Sequence, residues 1–287
     1  SLGNGDISDA TAEMTRSSSL AGIETTIQNS DRQIVELTNQ KTERNMTEAI
    51  RQQIIAIYTS ELTKELDQLT AEYNETKIGV AERKLQAGTG TELEVLTAQK
   101  TAKDAEAALQ AATADATKAR QTVLVNLGWN YDATPQICAV PEVTDAMIAA
   151  IDLAQDTQTA LQNNYQLRID QRKLALAESD GTKNTTQITV TNDENQVQSN
   201  MTARYNAVLS AQNELRKAEL NLQNQQTALG RVTRSYTAGA ASARDLEDAQ
   251  YSAAAAEYTV KLDRYALQSA YFTYLAGRDG LAGSSAS

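Results

Sequence analysis

Ala87-Gly88-Thr89-Gly90-Thr91-Glu92-Leu93-Glu94-Val95-Leu96-Thr97-Ala98-Gln99 comes back later in the chain as Ala238-Gly239-Ala240-Ala241-Ser242-Ala243-Arg244-Asp245-Leu246-Glu247-Asp248-Ala249-Gln250. The offset, Gly88 to Gly239, is 151 residues and holds along both stretches without a gap. Each copy places Thr or Ser three residues after the Ala-Gly glycine, an acid at six, and Ala-Gln at ten and eleven. A period this long marks a duplicated domain rather than a short solenoid unit. Glycine stops helices, so Gly88 and Gly239 end two rising helices. Thr91 and Ser242 stand at the N-cap of two returning helices, and Glu94 and Asp245 suit the first-turn dipole, with Glu94 placed to complete a capping box. Each copy therefore reads as the bend of a helical hairpin.

Coiled-coil spacing continues on both sides of each bend. Val208, Ala211, Leu215, Ala218, Leu222, Gln225, Leu229, Val232 and Tyr236 take eight steps to cover 28 residues, or 3.5 per step. After the bend, Ala249, Ala253, Ala256, Val260, Asp263, Leu267, Ala270 and Tyr274 keep the alternation. The series from Ala98 to Val123 repeats it 151 residues earlier. Small residues on this seam let helix axes approach closely. Ile55, Tyr58, Leu62, Leu66, Leu69, Tyr73, Thr76 and Val80 form a further seam, in a register different from that of its twin.

These patterns predict long helices over 45–86, 92–127, 197–237 and 242–277, and two more over 6–29 and 146–179. Helices of about 40 residues are about 60 Å long. A linker from Asn130 to Thr144 holds both prolines, Pro135 and Pro141. Breaks are expected at 29–45 and 180–197, the second with a candidate strand near 185–191. The fold class is all-α: duplicated long antiparallel hairpins with at most a short β-hairpin near 180–197. The first repeat spans 1–136 with its tip near 87–91, the second 137–287 with its tip near 238–242, and together they form one domain.

Composition narrows the function. The 287 residues are 5% aromatic, with one Phe, one Trp and no His. Such a helix-rich, Ala- and Gln-rich composition resembles a coiled coil more than a globular enzyme. Net charge is −11, so no basic stripe is at hand to neutralise phosphates, and nucleic acid is not expected as a partner. The acidity serves either solubility or a cation-attracting cavity or pore. Cys138 is the sole cysteine, so neither an intrachain disulfide nor a Cys/His metal site is expected. No phosphate-binding loop of the form Gly-x-x-x-x-Gly-Lys-Ser/Thr occurs, and neither catalysis nor a cofactor is expected. No run of 18 apolar residues is present. The chain starts at Ser1, and a removed leader is the expectation.

Tip motif, duplication and helix order together resemble the TolC-like outer-membrane efflux channel family. In that family each half runs helix, β-hairpin, long helix, tip turn, returning helix. Its tip reads aromatic-x-x-Gly-x-x-Ser/Thr-x-x-Asp-Val/Leu-x-x-Ala. The second repeat matches with Tyr236, Gly239, Ser242, Asp245, Leu246 and Ala249. The first matches with Gly88, Thr91, Glu94, Val95 and Ala98, with Leu85 in place of the aromatic. The stretch Ala160 to Arg168 looks like the family's opening of the second half, with Tyr165 where Pro is usual.

The resemblance implies a homotrimer whose six hairpins close a twelve-helix α-barrel. It implies tips, at Gly88, Thr91, Gly239 and Ser242, that dock on a periplasmic adaptor serving an inner-membrane pump. The location implied is the cell envelope, at the periplasm and outer membrane. By position, Tyr236 matches the family's gate tyrosine, Asp245 and Asp248 match two entrance aspartates, and Glu94 matches the first repeat's gate acid. The gate arginine falls on Ala241, and Arg244 lies close by in a different register. Read from spacing alone, Asp245 and Asp248 share a face at i, i+3. Around a threefold axis they make either an acidic ring that favours cations or two first-turn acids that complement the helix dipole. Tyr236 is equally a seam residue.

One departure stands out. A membrane barrel strand needs about 9–11 alternating residues with aromatic girdles. The stretches 29–45 and 180–197 contain no aromatic residue, so the barrel is expected to be missing, shortened or replaced by polar loops, and membrane contact is left open. The reading is then a tunnel-forming exit duct of a tripartite efflux or type I secretion system. The alternative is a secreted, self-assembling coiled-coil structural protein without transport activity.

Overall fold

The computed structural model describes residues 18–20, 22–138 and 140–283. Among them no strand occurs. The helices are α1 (22–30), α2 (Arg32–Gln86), α3 (Glu92–Asn126), α4 (Asp145–Ala149), α5 (Leu153–Asn163), α6 (Tyr165–Leu176), α7 (Asp180–Thr237) and α8 (Ala243–Ala276), followed by a π-helical turn, Gly277–Leu281. No helix among the described residues is long and apolar enough to cross a membrane. The chain divides into two units, one made of Ala49–Thr144 with Val208–Tyr271, the other of the segments up to Glu48, Asp145–Ala207 and from Phe272. Both units draw on both sequence repeats.

The first of these units holds the two hairpins. The helix ends at the bends repeat at the 151-residue spacing: Gln86 and Thr237 close the rising helices, and Glu92 and Ala243 open the returning ones. The seams read from the sequence are the covered faces. Ala102, Ala112, Ala116 and Val123 are buried on α3, Val208 and Ala218 on α7, and Ala253, Ala256, Val260 and Leu267 on α8. The α2 seam lies in a different register because part of it serves a different neighbour. Tyr58 stacks on Tyr265, Tyr73 stacks on Tyr251, and Gln52 bonds with Ser269, so α2 runs antiparallel to α8. The face of α2 toward α3 is another set, including Ala71, Glu75 and Ile78 opposite Gln99, Ala102 and Glu106.

The other unit corrects three expectations. Residues 29–45 and 180–197 are not loops: the first holds a one-residue break at Asp31, between α1 and α2, while 32–45 belong to α2 and 180–197 to α7. The strand and β-hairpin near 185–191 are absent, since those residues are helical. Ile188 is exposed while Val190 is buried, which fits two faces of a helix, and Val190, Val197, Met201 and Val208 carry the α7 seam back by steps of seven and four. The threonines of this stretch bond back along the helix, Thr185 to the Gly181 carbonyl and Thr189 to the Thr185 carbonyl. The helix expected over 146–179 is three helices. Asp152 caps α5 by accepting from the Gln155 N–H at 3.0 Å, and Asn164 caps α6 by accepting from the Leu167 N–H at 2.9 Å. Tyr165 thus takes the first helical position, the one that proline favours. Of the helix expected over 6–29, residues 6–17 and 21 lie outside the described residues.

This unit closes around Ile34, Leu37 and Ile169, with Tyr165 and Leu176 against them. On α7 of the same unit, Asp193 faces Asp170 and Lys173 of α6 and Lys41 of α2. Burial, then the neighbouring Asp170, raises the Asp193 carboxyl to about 6. A raised carboxyl pKa makes the folded state bind its proton more tightly than the unfolded chain does. Its contribution to stability is therefore complete below the ordinary carboxylate range and lost as pH rises towards about 6. Asp193→Asn is expected to stabilise the protein at neutral pH and to flatten the stability profile between pH 4 and 6. Thermal midpoints of both proteins across that range check it.

Candidate functional site

The two tips are built alike, from the backbone outward. Gly88 and Gly239 have φ of +71° and +74°, the left-handed region that β-carbons disfavour. No atom lies within 4 Å of where a Cβ would stand at either, so backbone conformation, not space, demands glycine. The N–H groups of Gly88 and Thr89 reach the carbonyls of Leu85 and Lys84, and those of Gly239 and Ala240 reach Tyr236 and Ser235. This is the Schellman closure of a helix end.

Capping boxes open both returning helices. Thr91 accepts from the Glu94 N–H at 3.2 Å while Glu94 accepts from the Thr91 N–H at 2.7 Å. Ser242 and Asp245 repeat the exchange, at 3.1 Å and 2.8 Å. The Ser242 N–H and hydroxyl hold the Asp245 carboxyl below the ordinary range. The cap is therefore intact at neutral pH and is lost as pH falls through that lowered value.

Asp248 has other partners. Its carboxylate lies 2.7 Å from Arg244 Nε and accepts from the Tyr73 hydroxyl at 2.9 Å. Asp245 and Asp248 are one turn apart, yet the first belongs to its own cap and the second to an α2–α8 contact. Arg244 also meets Glu247 at 3.2 Å and donates to Thr76 at 3.1 Å, and its guanidinium carbon sits 4.9 Å from the centre of the Tyr73 ring. Tyr73 in turn stacks on Tyr251 with centroids 3.8 Å apart, and Lys77 Nζ lies 4.2 Å from the Tyr73 ring centre. The Tyr251 and Thr70 hydroxyls are 3.1 Å apart. Burial, then Asp248, raises the Tyr73 phenol above its ordinary value, so it stays a donor at neutral pH. Tyr236 is 43% exposed and its backbone carbonyl closes the second tip.

Tip sequences alone do not reveal the α2 half of this cluster. Tyr73 and Thr76 appear in the sequence only as seam residues. The available signal is on α8: Arg244, Tyr251, Tyr258 and Tyr265 stand seven apart, a second heptad row beside the alanine seam. Three members of that row touch α2 at Thr76, Tyr73 and Tyr58. Among the described residues no group of three or more His, Cys, Asp or Glu side chains is placed to hold a metal.

No protein-family model matches the chain, and no curated protein matches it. Solved structures do. The outer-membrane channel OprN superposes with a TM-score of 0.64 at 15% identity, over 85% of this chain and 69% of that one. The outer membrane protein VceC from Vibrio cholerae gives 0.56 at 14% identity, over 86% and 73%. The CmeC outer membrane channel of Campylobacter jejuni gives 0.58 at 10% identity, over 88% and 66%. The chain has the all-α fold of the helical barrel part of TolC-like channels.

Proposed function

We propose that this chain is a tunnel-forming component of an export duct in the bacterial cell envelope, acting as a homotrimer without catalysis. One observation carries the reading. Within the chain, α2 packs on α8 through the row Arg244, Tyr251, Tyr258 and Tyr265. The same positions in the first repeat are Leu93, Lys100, Ala107 and Ala114 on α3, and all four are exposed. Leu93 is 72% exposed, Leu96 beside it 62%, and Leu220 on α7 61%. A repeat that buries this face once and leaves its twin open calls for another copy to cover it. In a closed ring α3 of one copy would meet α7 of the next, giving twelve helices from three chains.

Within that ring the tips carry the working parts. Gly88, Thr91, Gly239 and Ser242 shape the ends offered to a periplasmic adaptor, and with it to an inner-membrane pump. Glu94, Tyr236, Asp245 and Asp248 border the entrance, and Arg244 ties the two hairpins of each chain together. Cargo would be solutes or polypeptides of an efflux or type I secretion system.

Mass in solution and averaged electron-microscopy end views test this reading. A discrete trimer with a hole ringed by about twelve helices supports it. Open-ended polymers would favour a structural filament, and a lone bundle with a filled centre would refute the duct. Leu93→Glu with Leu96→Glu is expected to shift the trimer to monomer while helix content stays unchanged by circular dichroism. Asp245→Asn with Asp248→Asn is expected to weaken cation selectivity or multivalent-cation block in single-channel recordings, and unchanged conductance and block would remove the entrance-ring role.

A further inference from the structure

Between α2 and α8, beside the linker, lies a cavity of about 320 Å³. Ligand pockets begin at about this size. One wall is aromatic: Tyr58 and Tyr265 stack with centroids 5.5 Å apart and planes 4° from parallel. The Tyr58 hydroxyl donates to the Ile137 carbonyl at 2.8 Å, which pins the linker at the cavity edge. Gln268 lines the same cavity, is only 4% exposed, and leaves its Oε1 without a hydrogen-bond partner. A covered amide oxygen is costly to leave unmet.

The charges around it do not cancel. Lys261 is engaged by Glu257 at 2.9 Å, and Arg264 faces Glu219 at 3.7 Å. Glu61 and Glu142 also line the cavity, and among the described residues no ion pair reaches either. The uncompensated charge facing the space is therefore negative. An aromatic wall beside unpaired carboxylates suits a cation, and the unmet oxygen asks for an N–H group.

We propose that this cavity binds a small organic ammonium ion, with its N–H donating to Gln268, its charge met by Glu61 and Glu142, and its body against Tyr58 and Tyr265. The site is complete within one chain and does not depend on the duct reading.

Calorimetric titration of the full chain with benzylamine at neutral pH tests it, with benzyltrimethylammonium, which has no N–H, as the comparison. Benzylamine is expected to bind saturably, one per chain, and more tightly than the methylated cation. Glu61→Gln with Glu142→Gln is expected to weaken it by about tenfold. Gln268→Leu is expected to weaken benzylamine by about fivefold and leave the methylated cation unchanged. No saturable binding, binding indifferent to the glutamate changes, or equal affinity for the two cations would overturn the proposal. Should Gln268→Leu fail to fold, the glutamate variant and the comparison of the two cations on the unaltered chain decide.

Discussion

Replacing Tyr274 with alanine is expected to lower the free energy of unfolding by about 3–5 kcal/mol, the range for deleting a buried aromatic side chain. Tyr274, near the end of α8, is fully buried, its ring lies 6.2 Å from that of Tyr205, and its hydroxyl donates to Asp156 on α5 at 2.7 Å. Removing it opens a cavity and strips a partly buried carboxylate of its donor. Tyr274→Phe separates the two losses: it keeps the ring and is expected to cost about 1–2 kcal/mol for the unmet acceptor. Urea unfolding followed by circular dichroism measures both, and equal costs would show that the hydrogen bond, not the packing, dominates. Burial, then Asp156, raises the Tyr274 phenol well above its ordinary value, so this donor persists across neutral and mildly alkaline pH. The neighbouring backbone is held as well, since Arg204 donates to the Thr273 carbonyl ahead of the π-helical turn and to the Leu281 carbonyl at its end.

Arg244→Ala is the second large effect expected, and it falls on the tip. The side chain is 21% exposed, intermediate between a solvated surface pair and a buried one. Surface pairs contribute about 0–1 kcal/mol and broken buried pairs cost about 3–5 kcal/mol, so a loss of about 2 kcal/mol is expected. The local result should exceed the global one. Without the guanidinium, Asp248 keeps only the Tyr73 hydroxyl, and the α2–α8 contact at the tip loses its link to Thr76. Hydrogen exchange at 70–78 and 244–251 is expected to accelerate while the buried stretch around Val260 and Leu267 stays protected. If the proposed trimer forms, its single-channel conductance is expected to rise. Arg244→Lys keeps the charge but lacks the planar fork that meets Glu247, Asp248 and Thr76 together, so it should restore only part of the loss. Exchange rates unchanged at the tip would show that Arg244 does not tie the hairpins.

Much of the fold was legible in local pattern. Glycine at two equivalent places, with a hydroxyl residue three positions on and an acid six on, marks two helix stops, two N-caps and one capping box, and the structure has them and adds a second box at Ser242 and Asp245. The alanine and leucine seams of α3, α7 and α8 are the buried faces because helical spacing places them on one side. The strand near 185–191 misled for a physical reason. Thr-rich, β-branched sequence favours extended backbone in isolation, but Val190 and Val197 bury as part of a continuous helix, and tertiary burial outweighs propensity. The single helix expected over 146–179 failed because Asp152 and Asn164 read as ordinary polar residues until their caps are seen.

The candidate site was legible by half. Gly88, Thr91, Glu94, Gly239, Ser242 and Asp245 interact within a few residues of themselves, and local spacing suffices to find them. Arg244 and Asp248 could be named, but not their counterparts Tyr73 and Thr76, 168 residues away from Arg244 in the case of Thr76. Sequence period determines which side chains share a face of one helix, because about 3.6 residues per turn is a property of the local backbone. It does not determine which other helix that face meets. That choice fell to the tertiary structure, where burial of the Arg244, Tyr251 and Tyr265 row requires a partner surface of matching shape and charge, and α2 supplies it.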